Sequence, residues 1–213
     1  MVSIQKRSSR HTNLQPQGCG TTDHSKLDKK LRKALDRTPH NRIQVSCVMS
    51  SRLQIGQAAP PIKLYDTELK QRTLKEFTGQ IVVLAFFPGA FTAVCTKELC
   101  HFRDNLANFE SVNAQVLAIS VNDPFTNKAF AEQNRLLFPI LSDYNRLAIR
   151  AYDVTQEGIG LLQDYVVAKR AVFVISPEGF IRWKWVTDNP GMEPPYGEVQ
   201  HAVDDIGRGQ TKK

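Results

Sequence analysis

Two cysteines five residues apart, Cys95 and Cys100, follow the apolar run Ile81 to Phe87 and the connection Pro88-Gly89-Ala90-Phe91-Thr92-Ala93-Val94. A thiol is a nucleophile only as thiolate, and the unpaired N–H groups of a helix's first turn favour that negative charge. A strand giving way to a helix at this point makes Cys95 an activated sulfur. Thr92, three positions upstream, has a hydroxyl that can accept from a helix N–H or bond a thiolate or an oxygen beside it. Pro88 presents no N–H and narrows the approach to the sulfur.

Pro88, Thr92 and Cys95 together form the pattern P-x-x-x-T-x-x-C, and on it the chain resembles the peroxiredoxins. Phe87-Pro88-Gly89-Ala90-Phe91-Thr92 looks most like the one-cysteine-type branch called alkyl hydroperoxide reductase E. Cys95-Thr96-Lys97-Glu98 with Cys100 resembles the bacterioferritin-comigratory branch. The likeness spans roughly residues 52 to 206 and leaves the first fifty unexplained. It implies a thioredoxin-like α/β fold, a central mixed β-sheet flanked by helices. The activity it implies is a thiol-specific peroxidase that reduces hydrogen peroxide and organic hydroperoxides to water and alcohols, with no cofactor and no metal. Sulfur would attack the terminal peroxide oxygen and keep it as sulfenic acid.

The resemblance also directs attention to three further residues. Arg170 heads the run Ala171-Val172-Phe173-Val174-Ile175 and matches the position of the family's active-site arginine. Guanidinium is permanently charged and forked, so it can touch sulfur and a peroxide oxygen together. Lys169 is the alternative if the register is off by one. Glu98, three residues beyond Cys95 on one helix face, can orient a second arginine such as Arg150, or be a surface glutamate.

Cys100 occupies the place where the comigratory branch carries a resolving cysteine. On an ideal helix it lies about 140° round and about 7.5 Å along from Cys95. That exceeds the roughly 7 Å Cα separation a disulfide tolerates. The two sulfurs would therefore bond only if the first turn or two unwind, exposing the disulfide to thioredoxin or a similar dithiol reductant. The other reading of Cys100 is a small helix residue, with resolution left to an external thiol.

These residues need elements to hold them. Ile62 to Tyr65 alternates like an edge strand, Thr73 to Phe77 reads as a short helical turn, and Ile81 to Phe87 as a strand buried on both faces. A helix is predicted from Ala93 to about Phe109, with Leu99, Phe102, Leu106 and Phe109 on one apolar stripe. A strand over Gln115 to Val121, a helix over Pro124 to Asn134 capped by Asp123, and a strand around Phe138 to Leu141 follow. Tyr144 to Tyr152 reads as helical. Ala171 to Ile175 and Phe180 to Val186 read as a hairpin closed by Ser176-Pro177-Glu178-Gly179, and Gly197 to Ile206 as a last helix. Residues 207–213 are left as a polar tail.

The formal net charge of +7 is unevenly spread. Residues 1–48 carry ten Lys or Arg against Asp23, Asp28 and Asp36, and the rest of the chain is balanced at 18 basic and 18 acidic. A balanced domain suits a small neutral peroxide and argues against a nucleic-acid partner. Residues 1–50 read as a disordered basic extension, a transit peptide, or a region upstream of a true start at Met49. No apolar run approaches the roughly 18 to 20 residues of a membrane span. Four cysteines without a secretory signal point to a reducing compartment, the cytoplasm or, with a transit peptide, an organellar matrix. Cys19 and Cys47 read as free thiols.

Other classes fit less well. A thioredoxin-type oxidoreductase needs Cys-x-x-Cys. A Cys-His hydrolase needs a base, and His101 points about 100° away from Cys100 on a helix. A non-enzymatic redox sensor or holdase of the same fold stays open. So does a homodimer, for which Phe86, Phe91, Trp183 and Trp185 offer alternating aromatics.

Overall fold

In the computed structural model, which describes residues 53–210, the chain runs β1 (Lys63–Tyr65), β2 (Gln71–Thr73), a 3₁₀ turn (Leu74–Phe77), β3 (Ile81–Phe86), α1 (Ala93–Asp104) and α2 (Leu106–Ser111). It continues through β4 (Ala114–Ser120), α3 (Pro124–Asn134), β5 (Ile140–Ser142), α4 (Leu147–Ala151), β6 (Thr155–Ile159) and β7 (Leu162–Ala168). The last elements are β8 (Arg170–Ile175), β9 (Ile181–Thr187) and α5 (Tyr196–Gln210). The expectations for residues 1–50, including Cys19, Cys47 and a start at Met49, lie outside the described residues.

A seven-stranded mixed sheet has the order β2-β1-β5-β4-β3-β8-β9. β4 runs parallel to β3 and β5, while β8 is antiparallel to β3 and β9. This is the α/β sheet flanked by helices that the sequence predicts. β3 is buried at all six positions, as a strand without polar residues must be. Its alternate side chains feed two cores. Val82, Leu84 and Phe86 pack with Tyr152 and Phe173 on one face. Ile81, Val83, Ala85 and Phe87 pack on the other face, with Cys95, Leu99 and Phe102 of α1 and Val199 and Val203 of α5.

Several boundaries differ from expectation for identifiable reasons. β1 is not an edge strand, because Gln71–Thr73, too polar to read as a strand, pairs outside it. The long helix breaks at Asn105, whose amide side chain donates to the His101 carbonyl at 2.9 Å and competes with the helix ladder. α4 is shorter than Tyr144 to Tyr152, starting after Arg146 in a left-handed conformation. The antiparallel β6–β7 hairpin went unread, since Gly158 and Gly160 interrupt the pattern of β6 and the apolar residues Tyr165 to Ala168 run on toward β8 without a clear alternation. α5 extends to Gln210, through much of the segment expected to be a tail; residues 211–213 lie outside the described ones.

Candidate active site

β3 ends at Phe86, and the chain turns through buried Pro88 into α1, whose N-cap residue is Thr92. Cys95 is then the third helical residue, inside the first turn, where N–H groups lack carbonyl partners. The turn is held from β4's far end: the Ala90 N–H donates to Asn122 Oδ1 at 2.9 Å. Asn122 is itself fixed, its carbonyl accepting from the Ser142 hydroxyl at 2.5 Å and its N–H donating to Ser120 Oγ at 3.2 Å. Phe91 completes the turn with φ 63°, a left-handed conformation that costs a non-glycine residue on the order of 1 kcal/mol. Its half-exposed ring meets Phe130 edge-on at 5.3 Å.

Thr92 does not accept from the helix. Its hydroxyl donates to the Gly89 carbonyl at 3.0 Å, an arrangement that ties the turn together. The first-turn amides are thus left without a side-chain cap, and their partial positive charge is available to an anion at Cys95.

Arg170 reaches the same point from β8. Val172 and Val174 pack in the core beneath α1, so the two-residue period of the strand sends Arg170 to that face too. One guanidinium nitrogen, Nη2, lies 3.4 Å from Cys95 Sγ and also donates to the Pro190 carbonyl at 2.7 Å. The other, Nη1, is bonded to Glu98 Oε2. All three side chains are buried, Cys95 completely. Lys169, one residue earlier, points to the opposite face and pairs with Asp188 at 2.5 Å.

The partner of Glu98 is therefore Arg170 itself. Arg150 is exposed on α4 and takes no part. Burial pushes the Glu98 carboxyl up to about 7 against the lowering charge of Arg170. Burial also works against the Arg170 charge, but Glu98 and the Cys95 sulfur outweigh it and hold the guanidinium firmly charged. Glu98 Oε1 and Arg170 Nε are buried without a protein partner.

Cys100 looks the other way. It is half-buried, its thiol 3.9 Å from Asn134 Oδ1 of α3, and it borders Arg103. Both cysteines are free. An intact α1 thus separates two sulfurs that face β8 and α3 respectively.

Sequence reasoning missed the segment after β9. Pro190 supplies a carbonyl to Arg170, and Glu193 pairs with Lys97 of α1 at 2.5 Å. Tyr196, its phenol pushed up by burial and the Glu193 bond, donates to Glu193 at 2.9 Å and stacks on His101 with centroids 3.7 Å apart. The only signal was Pro194-Pro195, which fixes the start of α5. Nothing local says which helix that segment touches.

The chain is similar to known proteins in sequence and in fold. Residues 55–184 match the AhpC/TSA family. The chain is 39% identical over 134 residues to alkyl hydroperoxide reductase E of Mycobacterium tuberculosis, covering 62% of this chain and 84% of that one. It is 39% identical over 120 residues to chloroplastic peroxiredoxin Q of Populus jackii, covering 55% and 56%. The crystal structure of peroxidoxin BcpB from Mycobacterium tuberculosis superposes with a TM-score of 0.65 at 29% identity, over 72% of this chain and 98% of that one.

Proposed function

The chain belongs to the AhpC/TSA family and is a thiol-dependent peroxidase, and on that premise we propose that Cys95 is its peroxidatic thiol and Cys100 its resolving one. Its substrates are peroxides and its electrons come from a thiol reductant. The single observation that carries the assignment is the Arg170 guanidinium 3.4 Å from Cys95 Sγ, at the uncapped first turn of α1. That cation and those amides are placed to stabilise the negative charge sulfur carries as it attacks. The thiolate attacks one peroxide oxygen, the O–O bond breaks, and the other oxygen leaves as water or alcohol after taking a proton. Arg170 can hold the developing charge on oxygen, as only a forked donor already fixed by a second partner can do. Thr92 and Pro88 shape the approach, and Glu98 orients Arg170.

The sulfenic acid left on Cys95 is then attacked by the Cys100 thiol after the first turns of α1 open, and thioredoxin or a similar dithiol protein reduces the disulfide. A reducing compartment, the cytoplasm or an organellar matrix, is the setting for such a cycle. No described helix is long and apolar enough to cross a membrane. A homodimer belongs to the same proposal. Phe86 lies in the core and Trp183 and Trp185 are half-buried, which leaves Phe91 as the exposed member of the expected aromatic set.

The test is peroxide consumption with a thioredoxin system against dithiothreitol alone. Cys95→Ser should abolish turnover with both donors. Cys100→Ser should lose the thioredoxin-supported rate and keep the dithiothreitol one. Cys100 remaining a free thiol in peroxide-treated wild type, with sulfenic acid persisting on Cys95, would overturn the two-cysteine cycle. Sedimentation of the reduced protein as a monomer at tens of micromolar would remove the dimer.

A further inference from the structure

If α1 must open for Cys95 and Cys100 to meet, whatever fastens its early turns governs how readily they do. Two fastenings come from residues that touch neither sulfur. Lys97 donates to Glu193 at 2.5 Å, and Glu193 also accepts from the Tyr196 phenol at 2.9 Å. The Tyr196 ring lies nearly flat on His101, 21° between planes, and edge-on to Phe102 at 5.8 Å. Lys97 and His101 are four residues apart, hence on one face of α1 and astride the turn that carries Cys100. The segment Pro190–Tyr196 is strapped along that face, stiffened by Pro194-Pro195.

We propose that the Lys97–Glu193 pair, backed by Tyr196, is a latch that slows the opening of α1 once Cys95 is oxidised, and so divides the sulfenic acid between two fates. The proposal rests on Cys100 as resolving thiol. In the first fate Cys100 sulfur attacks Cys95 sulfur. The S–S bond forms, the S–O bond breaks, and the oxygen leaves as water with the sulfenic and thiol protons. In the second fate another peroxide transfers one oxygen to the Cys95 sulfur, giving sulfinic acid while the peroxide is reduced to water or alcohol. A closed latch favours the second fate and an open latch the first.

Lys97 and Glu193 act as positioning residues, through the helix. The Lys97 side chain is 72% exposed and that of Glu193 26%, so the pair is of the solvent-screened kind. Its removal should change the opening rate only about two- to fivefold.

Reduced full-length protein is mixed with hydrogen peroxide, quenched by alkylation at short times, and assayed by mass spectrometry for the Cys95–Cys100 disulfide and for Cys95 sulfinic acid. Lys97→Met and Glu193→Gln should each speed disulfide formation by about two- to fivefold and raise by the same factor the peroxide concentration that yields sulfinic acid. The rate at which Cys95 is first oxidised should not change. The double variant should be no faster than either single one, and reversing the pair with Lys97→Glu and Glu193→Lys should restore the wild-type rate. Single variants with an unchanged disulfide rate, or with effects that simply add, overturn the latch and leave the two-cysteine cycle standing. A wild type that forms no disulfide overturns the role of Cys100, and the latch with it.

Discussion

Arg170 serves two acidic partners at once, Cys95 through Nη2 and Glu98 through Nη1. Replacing it with lysine keeps the charge but loses the fork, so Arg170→Lys should lower kcat/KM by about 10- to 100-fold. Lys169→Ala, on the opposite face, should leave kcat/KM near wild type, and steady-state peroxide kinetics compare the two. Glu98 has its own signature. Its folded carboxyl ionises near 7 against 4.5 ordinarily. Between those values the folded protein holds a proton that the unfolded chain has released. The stabilisation is therefore complete below about pH 4.5 and is lost as pH rises through about 7. Thermal melts should show wild type losing on the order of 1–3 kcal/mol relative to Glu98→Gln between pH 5 and pH 8. Parallel curves would show that Glu98 stays ionised throughout. Cys95 stands out in the sequence where an apolar run gives way to a helix, whereas Arg170 is singled out by the family resemblance, since a basic residue at a strand entrance is ordinarily just solvated. The Glu98–Arg170 contact was not legible, since it joins residues 72 apart in sequence that only the packing of α1 on β8 brings together.

Element by element, capping decides which boundaries could be read. Asp123 precedes Pro124 and accepts from the Phe125 and Thr126 N–H groups, a local pattern visible in sequence. Asp143 does similar work for α4, accepting from the N–H groups of Leu147, Ala148 and Ile149, yet it lies four to six residues upstream and is fully buried. Sequence spacing alone does not suggest it. Asp123→Ala should cost about 1 kcal/mol. Asp143→Ala should cost more, about 2–3 kcal/mol, because it strands buried N–H groups. Urea titration of both variants orders them. The one element with a motion to perform is α1. Peroxide oxidation should raise amide hydrogen exchange across residues 93–101 while α5 keeps its protection. Unchanged exchange in fully disulfide-bonded protein would mean that the sulfurs meet without unwinding.

Across the whole molecule, the charge excess and the chemistry are separable. The basic surplus belongs to residues 1–48, whereas the family match begins at residue 55. A protein starting at Met49 should therefore keep the peroxide kcat/KM within about twofold of the full chain. A larger drop would give residues 1–48 a part in substrate capture. The sheet's centre was legible as a whole, because a strand as apolar as β3 has nowhere else to lie. The sheet's outer edge was not, because Gln71–Thr73 is a strand by pairing rather than by burial, and the separate β6–β7 hairpin has no apolar period of its own although Val167 and Ala168 are fully buried. That hairpin runs almost directly into β8, with Lys169 alone between Ala168 and Arg170. Strand register therefore converts chain length into chemistry. One residue inserted at the hairpin tip, where Leu161 is 97% exposed, would only lengthen a loop. The same residue inserted at Lys169 has no loop to enter, and it would set the register of β7 against the pairing of β8 with β3 and β9 that aims the guanidinium at Cys95, so the hairpin tolerates added length at one end and not at the other.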